Sequence, residues 1–272
     1  MDLKHSVGRA SGLWMSVLMA SWVVAGCGSA PKDVESGWAP DKLYAEARQE
    51  ADNGSYERAA KLYERLEGRA SGTLLAQQAQ VERAYVLYRQ NEKAQALSVL
   101  ERFIKLHPTS PAVDYALYLQ GLVNFNDNLG LLSSLSRQDL SERDQQASRD
   151  AFQSFKQLVD QYPQSRYAED ARVRMNYILN SLAQYEVHVA RYYFRRGAYV
   201  AAANRAQQTV QEFQQSPSVE EALFIMVRSY DRLGLSPLRD DAARILRQNF
   251  PNSPYITAEG VQDKPRPWWQ LW

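Results

Sequence analysis

Residues 84–108 read AYVLYRQNEKAQALSVLERFIKLHP, and this stretch decides the fold. Ala84 and Leu87 share an apolar helix face, and Gln90–Glu92 is a polar break. Ala96, Leu100 and Phe103 then line one side of a second helix, which Pro108 stops. Offsets of four and seven put residues on one side of a helix. The pattern recurs. The second helices line up as Ala59–Tyr63–Leu66, Ala96–Leu100–Phe103, Ala151–Phe155–Leu158, Ala202–Ala206–Thr209 and Arg239–Ala243–Leu246. Twelve residues after each leading position stand Ser71, Pro108, Pro163, Gln214 and Pro251. Twelve before stand Ala47, Ala84, Asp139, Ala190 and Val227. Asp139 breaks the series and marks an insertion.

A hairpin of about 34 residues buries only part of its apolar surface alone, so copies must stack. Small residues at the crossing points let two helices approach closely. Larger apolar residues one turn on fill the gap to the next hairpin. Proline ends the second helix because it lacks an N–H and disfavours helix in the residue before it. This is the tetratricopeptide (TPR) pattern. It predicts an all-α chain, a TPR-like superhelical array of about five helix–turn–helix repeats. The third repeat carries an insertion and an extra helix precedes the fourth. An ordinary amphipathic bundle would not repeat its register over most of the chain.

Composition narrows the function. Among 272 residues, 32 Lys and Arg face 31 Asp and Glu, so no charge excess argues for nucleic acid or an anionic surface. With one cysteine, neither a disulfide framework nor a cysteine metal cluster forms within the chain. No G-x-G-x-x-G or Walker-type loop is present. Past the leader only His107 and His188 remain, far apart, so no histidine zinc site is expected. No clustered nucleophile and base is visible, and neither catalytic residues, a metal nor a cofactor is expected.

The cysteine is the second informative feature. Lys4 and Arg9 precede the apolar run Leu13–Ala25, which only Ser16 and Ser21 interrupt. This reads as a signal peptide over residues 1–26, too short for a convincing membrane span. It ends Val24-Ala25-Gly26-Cys27, which resembles the bacterial lipobox. That resemblance implies cleavage before Cys27 and a diacylglycerol and N-acyl lipid on it. Gly28, in place of an aspartate, implies sorting to the outer membrane. Residues 27–40 read as the lipidated cysteine and a flexible tether, 41–256 as the solenoid and 257–272 as a Pro/Trp-rich tail.

Within the repeats, Asp41 is a plausible N-cap and Asn53-Gly54 a turn. Tyr44, Tyr56 and Tyr63 are packing aromatics, with a peptide-binding face as the alternative. Gly121 takes the close-packing position in Val113–Asn124. A regular copy would have it at residue 139, and 139 − 121 = 18 residues is the insertion. It holds Asn126-Asp127-Asn128, Gly130, then Leu131, Leu132 and Leu135 among serines, and Arg143-Asp144. The extra helix, about Tyr167–Leu182, runs without a clear break into Tyr185–Arg196. Arg195 and Arg196 suit a helix C-terminus. Arg205 faces away from the alanine seam, as a solvated residue or an interface anchor. The tryptophans Trp14, Trp22, Trp38, Trp268, Trp269 and Trp272 all fall outside the repeats. The tail could dock on a partner or touch a lipid interface.

The lipobox, the irregular repeats, the insertion ending Ser141-Glu142-Arg143-Asp144 and the run from Tyr185-Glu186 through Tyr192-Tyr193 and Arg196-Gly197-Ala198-Tyr199 to Asn204-Arg205 resemble the BamD family. These are TPR lipoproteins of the outer-membrane β-barrel assembly (BAM) machinery. The resemblance implies a non-enzymatic scaffold, lipid-anchored to the outer membrane and facing the periplasm of a Gram-negative bacterium. It implies C-terminal repeats that bind the POTRA domain of BamA, beside other BAM lipoproteins, through Arg196, Arg205, Tyr199 and Asn204. It further implies N-terminal repeats that receive unfolded outer-membrane β-barrel proteins, with Tyr56 and Tyr63 as contacts. The alternative is a TPR pilotin for a pilus secretin, whose repeats would be more regular.

Overall fold

The computed structural model describes residues 34–125, 145–257 and 260–261. Ten α-helices make up nearly all of them. They are α1 (Pro40–Asp52), α2 (Tyr56–Arg69), α3 (Leu74–Arg89), α4 (Lys93–Leu106), α5 (Val113–Asn124), α6 (Gln145–Gln161), α7 (Ala168–Arg195), α8 (Tyr199–Glu212), α9 (Ser218–Arg232) and α10 (Ser236–Asn249). A two-residue ladder, Ile256–Thr257 with Gly260–Val261, follows α10. Each helix packs on its chain neighbour, and short links, except between α5 and α6, make the neighbours antiparallel. The chain is an all-α, TPR-like repeat array.

The register read from the sequence is the packing register. Ala47, Ala84 and Ala190 are fully buried, as are Ala59, Ala96, Ala151, Ala202 and Ala206. Tyr63, Phe103 and Phe155, four residues or more further on, are fully buried too. The Phe103 and Phe155 rings contribute about 1.5–3 kcal/mol each through burial alone. Arg239 is the exception in the series. It stays at the surface and pairs with Asp231 and Asp240, while Ala242 and Ala243 make the close approach behind it.

Gly121 confirms the interrupted third repeat. A Cβ built there would lie 2.6–2.7 Å from the Cδ1 and Cζ carbons of Phe155, so α5 and α6 meet at a point where only glycine fits. They pair as a hairpin although residues 125–144 intervene. Most of the insertion, from Asn126 to Asp144, lies outside the described residues.

The hairpin turns share one backbone device. Gly54, Asn91, Gly197 and Gly234 stand at the same place in repeats one, two, four and five, and all have φ between 65° and 79°. Glycine and asparagine tolerate this left-handed conformation best.

The extra helix and the first helix of repeat four are one continuous helix, α7, of 28 residues. Nothing between Ala168 and Arg195 breaks it, since the stretch holds neither Gly nor Pro. Its first half, with Ala171, Ile178 and Ala183, belongs to the core of repeats one to three. Its second half, with Val187 and Ala190, belongs to a second core shared with α8 and α9. Despite its length α7 is strongly polar, and no helix among the described residues is long and apolar enough to cross a membrane.

Three local expectations change at the N-terminus. Ala39, not Asp41, is the N-cap of α1, because Pro40 takes the first helical position, where its missing N–H costs nothing. The segment read as tether up to Pro40 is docked from a 3-10 turn at Val34–Gly37 onward. Glu35 pairs with Arg65 and lies 3.9 Å from Arg58, and Arg69 Nη1 donates to the Trp38 carbonyl at 2.8 Å. Trp38 itself lies half-buried on the first repeat, with Lys42 Nζ 4.4 Å from its ring centre, so it is part of the packing after all. Signal peptide, Cys27 and the tryptophan tail lie outside the described residues.

Candidate partner and substrate surfaces

Two surfaces stand out, one on each half of the array. The first is a groove of about 710 Å³ where the N-terminal ends of α3, α5 and α7 come together. Antiparallel packing brings these ends to one rim, so residues far apart in sequence line it. Tyr115 and Tyr118 of α5 hold Tyr167 between them, with ring centres 5.3 and 4.8 Å away, and the Tyr118 pair is stacked. Arg166 lies over the Tyr167 ring at 4.8 Å. Ser165 Oγ donates to Asp114 Oδ2 at 2.7 Å, fixing the loop before α7 against α5. Tyr118 Oη and Arg174 Nε both donate to Asp170 Oδ2, at 2.7 and 2.6 Å.

Electrostatics mark the floor of this groove. Burial pushes the Glu82 carboxyl above its usual range, and Arg48 nearby offsets only part of that while Asp52 adds to it. Burial first, and then Glu82, also raise the Tyr115 and Tyr63 hydroxyls. Tyr118 is pushed up to about 12, by burial and then by its bond to Asp170. A half-buried carboxylate held away from its ordinary pKa in a cleft is a functional-site signature. The groove lining adds an aromatic wall, the amides of Gln77 and Gln78 and the Arg166 cation. The arrangement suits an extended, partly apolar peptide, with acceptors for backbone N–H groups and a cation for a carboxylate. Among the described residues no group of three or more His, Cys, Asp or Glu is placed to hold a metal ion.

The second surface is the rim formed by the end of α7, the start of α8, the end of α9 and the start of α10. Arg196 closes α7 as its C-cap and is exposed, its guanidinium 5.5 Å from the Tyr192 ring centre. Tyr192, Val200, Leu235 and Leu238 are exposed apolar side chains on the same rim. Tyr199 is half-buried, edge-on to Phe194 at 5.3 Å. Asn204 is exposed on α8.

Arg205 behaves differently from its neighbours. Its Nη1 donates to Glu186 Oε2 at 3.0 Å, and the Glu186 side chain is only 3% exposed. Arg205 therefore neutralises a carboxylate in the seam between α7 and α8, and part of its role is to hold that seam. The two tyrosines expected to face substrate do not form a joint surface. Tyr63 is fully buried, edge-on to Tyr44 at 6.2 Å, and offers nothing to a ligand. Tyr56 lies half-buried on the opposite rim from the groove, under the Arg89 guanidinium at 4.9 Å. His107 caps α4 and packs 5.4 Å from Phe103. Sequence reasoning missed Glu82, Tyr115 and Tyr167. Their only linear signal was the tyrosine pair one turn apart at 115 and 118.

Comparison with known proteins places the chain. A family model described as YfiO, outer membrane lipoprotein, matches residues 38–246. The chain is 45% identical over 262 residues to the outer membrane protein assembly factor BamD of Neisseria meningitidis serogroup A, covering 96% of this chain and 98% of that one. It is 35% identical over 244 residues to BamD of Xylella fastidiosa, covering 89% and 83%. It is 32% identical over 235 residues to BamD of Vibrio cholerae, covering 86% and 97%. The chain belongs to the YfiO family of outer membrane lipoproteins, the family of the assembly factors named BamD.

Proposed function

We propose that this protein is a non-enzymatic scaffold of outer-membrane protein assembly, anchored to the outer membrane by acyl chains on Cys27 and facing the periplasm. Its C-terminal rim binds the POTRA region of BamA, within a complex that includes other BAM lipoproteins. Its N-terminal groove receives unfolded β-barrel chains. The observation that carries the reading is the C-terminal rim, where Arg196 stands beside exposed Val200, Leu235 and Leu238. A cation set among exposed apolar side chains is the composition of an interface hot spot. Purification of the protein from detergent-solubilised envelopes tests it. Recovery of a large β-barrel protein with POTRA domains is the expected result. Recovery of a pilus secretin in its place would overturn the reading.

The groove supplies a separate prediction. Because the folded-state pKa of Glu82 is raised, its charge opposes folding above that pKa, and this cost vanishes as pH falls below the unfolded value. Glu82→Gln should therefore raise the thermal midpoint at about pH 7 and lose that advantage below about pH 4. The same variant should bind a peptide ending in a barrel's last strand several-fold more weakly, since an amide is a poorer acceptor for backbone N–H groups. Tighter binding would mean that the groove does not take up peptide through Glu82. The trade of stability against binding is the mark of a site residue.

A further inference from the structure

We propose that the rim of repeats one and two that carries the N-terminal segment lies against the lipid surface; the proposal rests on the reading of Cys27 as the anchor. Seven peptide links join Cys27 to Val34, where the docked 3-10 turn begins, and they span at most about 25 Å. From there the chain is fixed. Glu35 is tied to Arg65, and the Trp38 carbonyl to Arg69 at the far end of α2. The anchor therefore leads directly to one particular rim, made of the start of α1, the α2–α3 link and the end of α4. The opposite rim is a helix length, roughly 20 Å, farther away.

The exposed chemistry of this rim matches a phospholipid surface. Leu74 is 75% exposed at the first position of α3, and Leu106 is 59% exposed at the last position of α4. Around them stand exposed Lys42, Arg69 and Lys105, and the half-buried indole of Trp38. Asp41 is an exposed carboxylate among them, exposed Glu101 lies about one turn below Lys105, and Asp114 is half-buried and bonded to Ser165. Protruding leucines ringed by cations, with a tryptophan at the edge, suit a headgroup region containing anionic lipid. The groove opens on the same rim, through Leu74, Pro111 and Arg166, so its mouth faces the membrane into which a bound chain would pass.

The test uses the full lipidated protein reconstituted in vesicles of phosphatidylethanolamine and phosphatidylglycerol that carry a nitroxide lipid. Acylation consumes the one native thiol, so a single added cysteine takes a fluorophore. Leu74→Cys and Leu106→Cys place it on the proposed rim, and Glu92→Cys on the opposite one; all three positions are exposed, and circular dichroism checks the fold. Nitroxide should quench the first two by about twofold or more and leave the third nearly unchanged. Equal quenching at both rims, or none at either in protein that floats with the vesicles, overturns the lipid-facing rim alone. Protein whose Cys27 carries no acyl mass, and which does not float, overturns the anchor reading and this inference with it.

Discussion

Arg205→Glu should destabilise the C-terminal repeats by about 3 kcal/mol, whereas Arg196→Glu should leave stability within about 0.5 kcal/mol of the parent. Both are arginines of one turn-and-helix run, and the family resemblance gives both the same role. The difference lies in their partners. Arg205 bonds a carboxylate that is 3% exposed, while its own side chain is 43% exposed. Reversing its charge leaves Glu186 buried beside a second carboxylate, and that loss of compensation costs more than the pair itself contributes. In the thermal unfolding of the C-terminal repeats this corresponds to roughly 12–24 °C. Arg196 is exposed and, among the described residues, leans on the Tyr192 ring. Its reversal should instead weaken the proposed BamA contact by more than about 30-fold, a loss of about 2 kcal/mol. Arg205→Ala combined with Glu186→Gln removes both charges and should recover most of the stability, which a double-mutant cycle would read directly. Equal thermal midpoints for the two reversals would show that Glu186 has another compensating partner. An unaffected BamA affinity in Arg196→Glu would remove this rim from the interface.

Phe155→Ala should cost about 3–5 kcal/mol, the largest effect of a single truncation expected in the N-terminal half. The ring is fully buried. Tyr118 and Phe125 pack on it with centres 6.0 and 6.2 Å away, so the space it leaves has little means of closing. Gly121→Ala probes the same contact from the other side. A helical Gly→Ala exchange ordinarily gains about 1 kcal/mol. Here the new methyl meets the Phe155 ring, and overpacking of about 1–3 kcal/mol should outweigh the gain. Combining Gly121→Ala with Phe155→Leu trades one volume for the other, and its cost should fall below the sum of the single effects. Chemical denaturation of Gly121→Ala, Phe155→Leu and the double variant checks this. A stabilised Gly121→Ala would show that α5 and α6 are free to separate at this point, and that the hairpin across the insertion is loose.

What the sequence by itself determined was everything with a period. Helix faces, hairpin register, the displaced Gly121 and the small residues at each crossing are local or regularly spaced, and helical geometry converts spacing into burial without knowledge of the rest of the chain. The continuity of α7 was legible too, because the stretch lacks any residue that ends a helix. What only the tertiary structure decided was which side chains share a surface. Glu82, Tyr115 and Tyr167 meet because antiparallel stacking gathers the starts of α3, α5 and α7 at one rim, and no linear spacing encodes that. Tyr63 and Tyr56 look equivalent in sequence, seven residues apart on α2. One became rim and the other core because they differ in height along the shared face: Tyr56 opens α2 at the edge of the array, whereas Tyr63 lies midway along it between packed neighbours. Arg196 and Arg205 were likewise separated by a single fact of packing: a buried carboxylate on the neighbouring helix lies within reach of one of them and not the other.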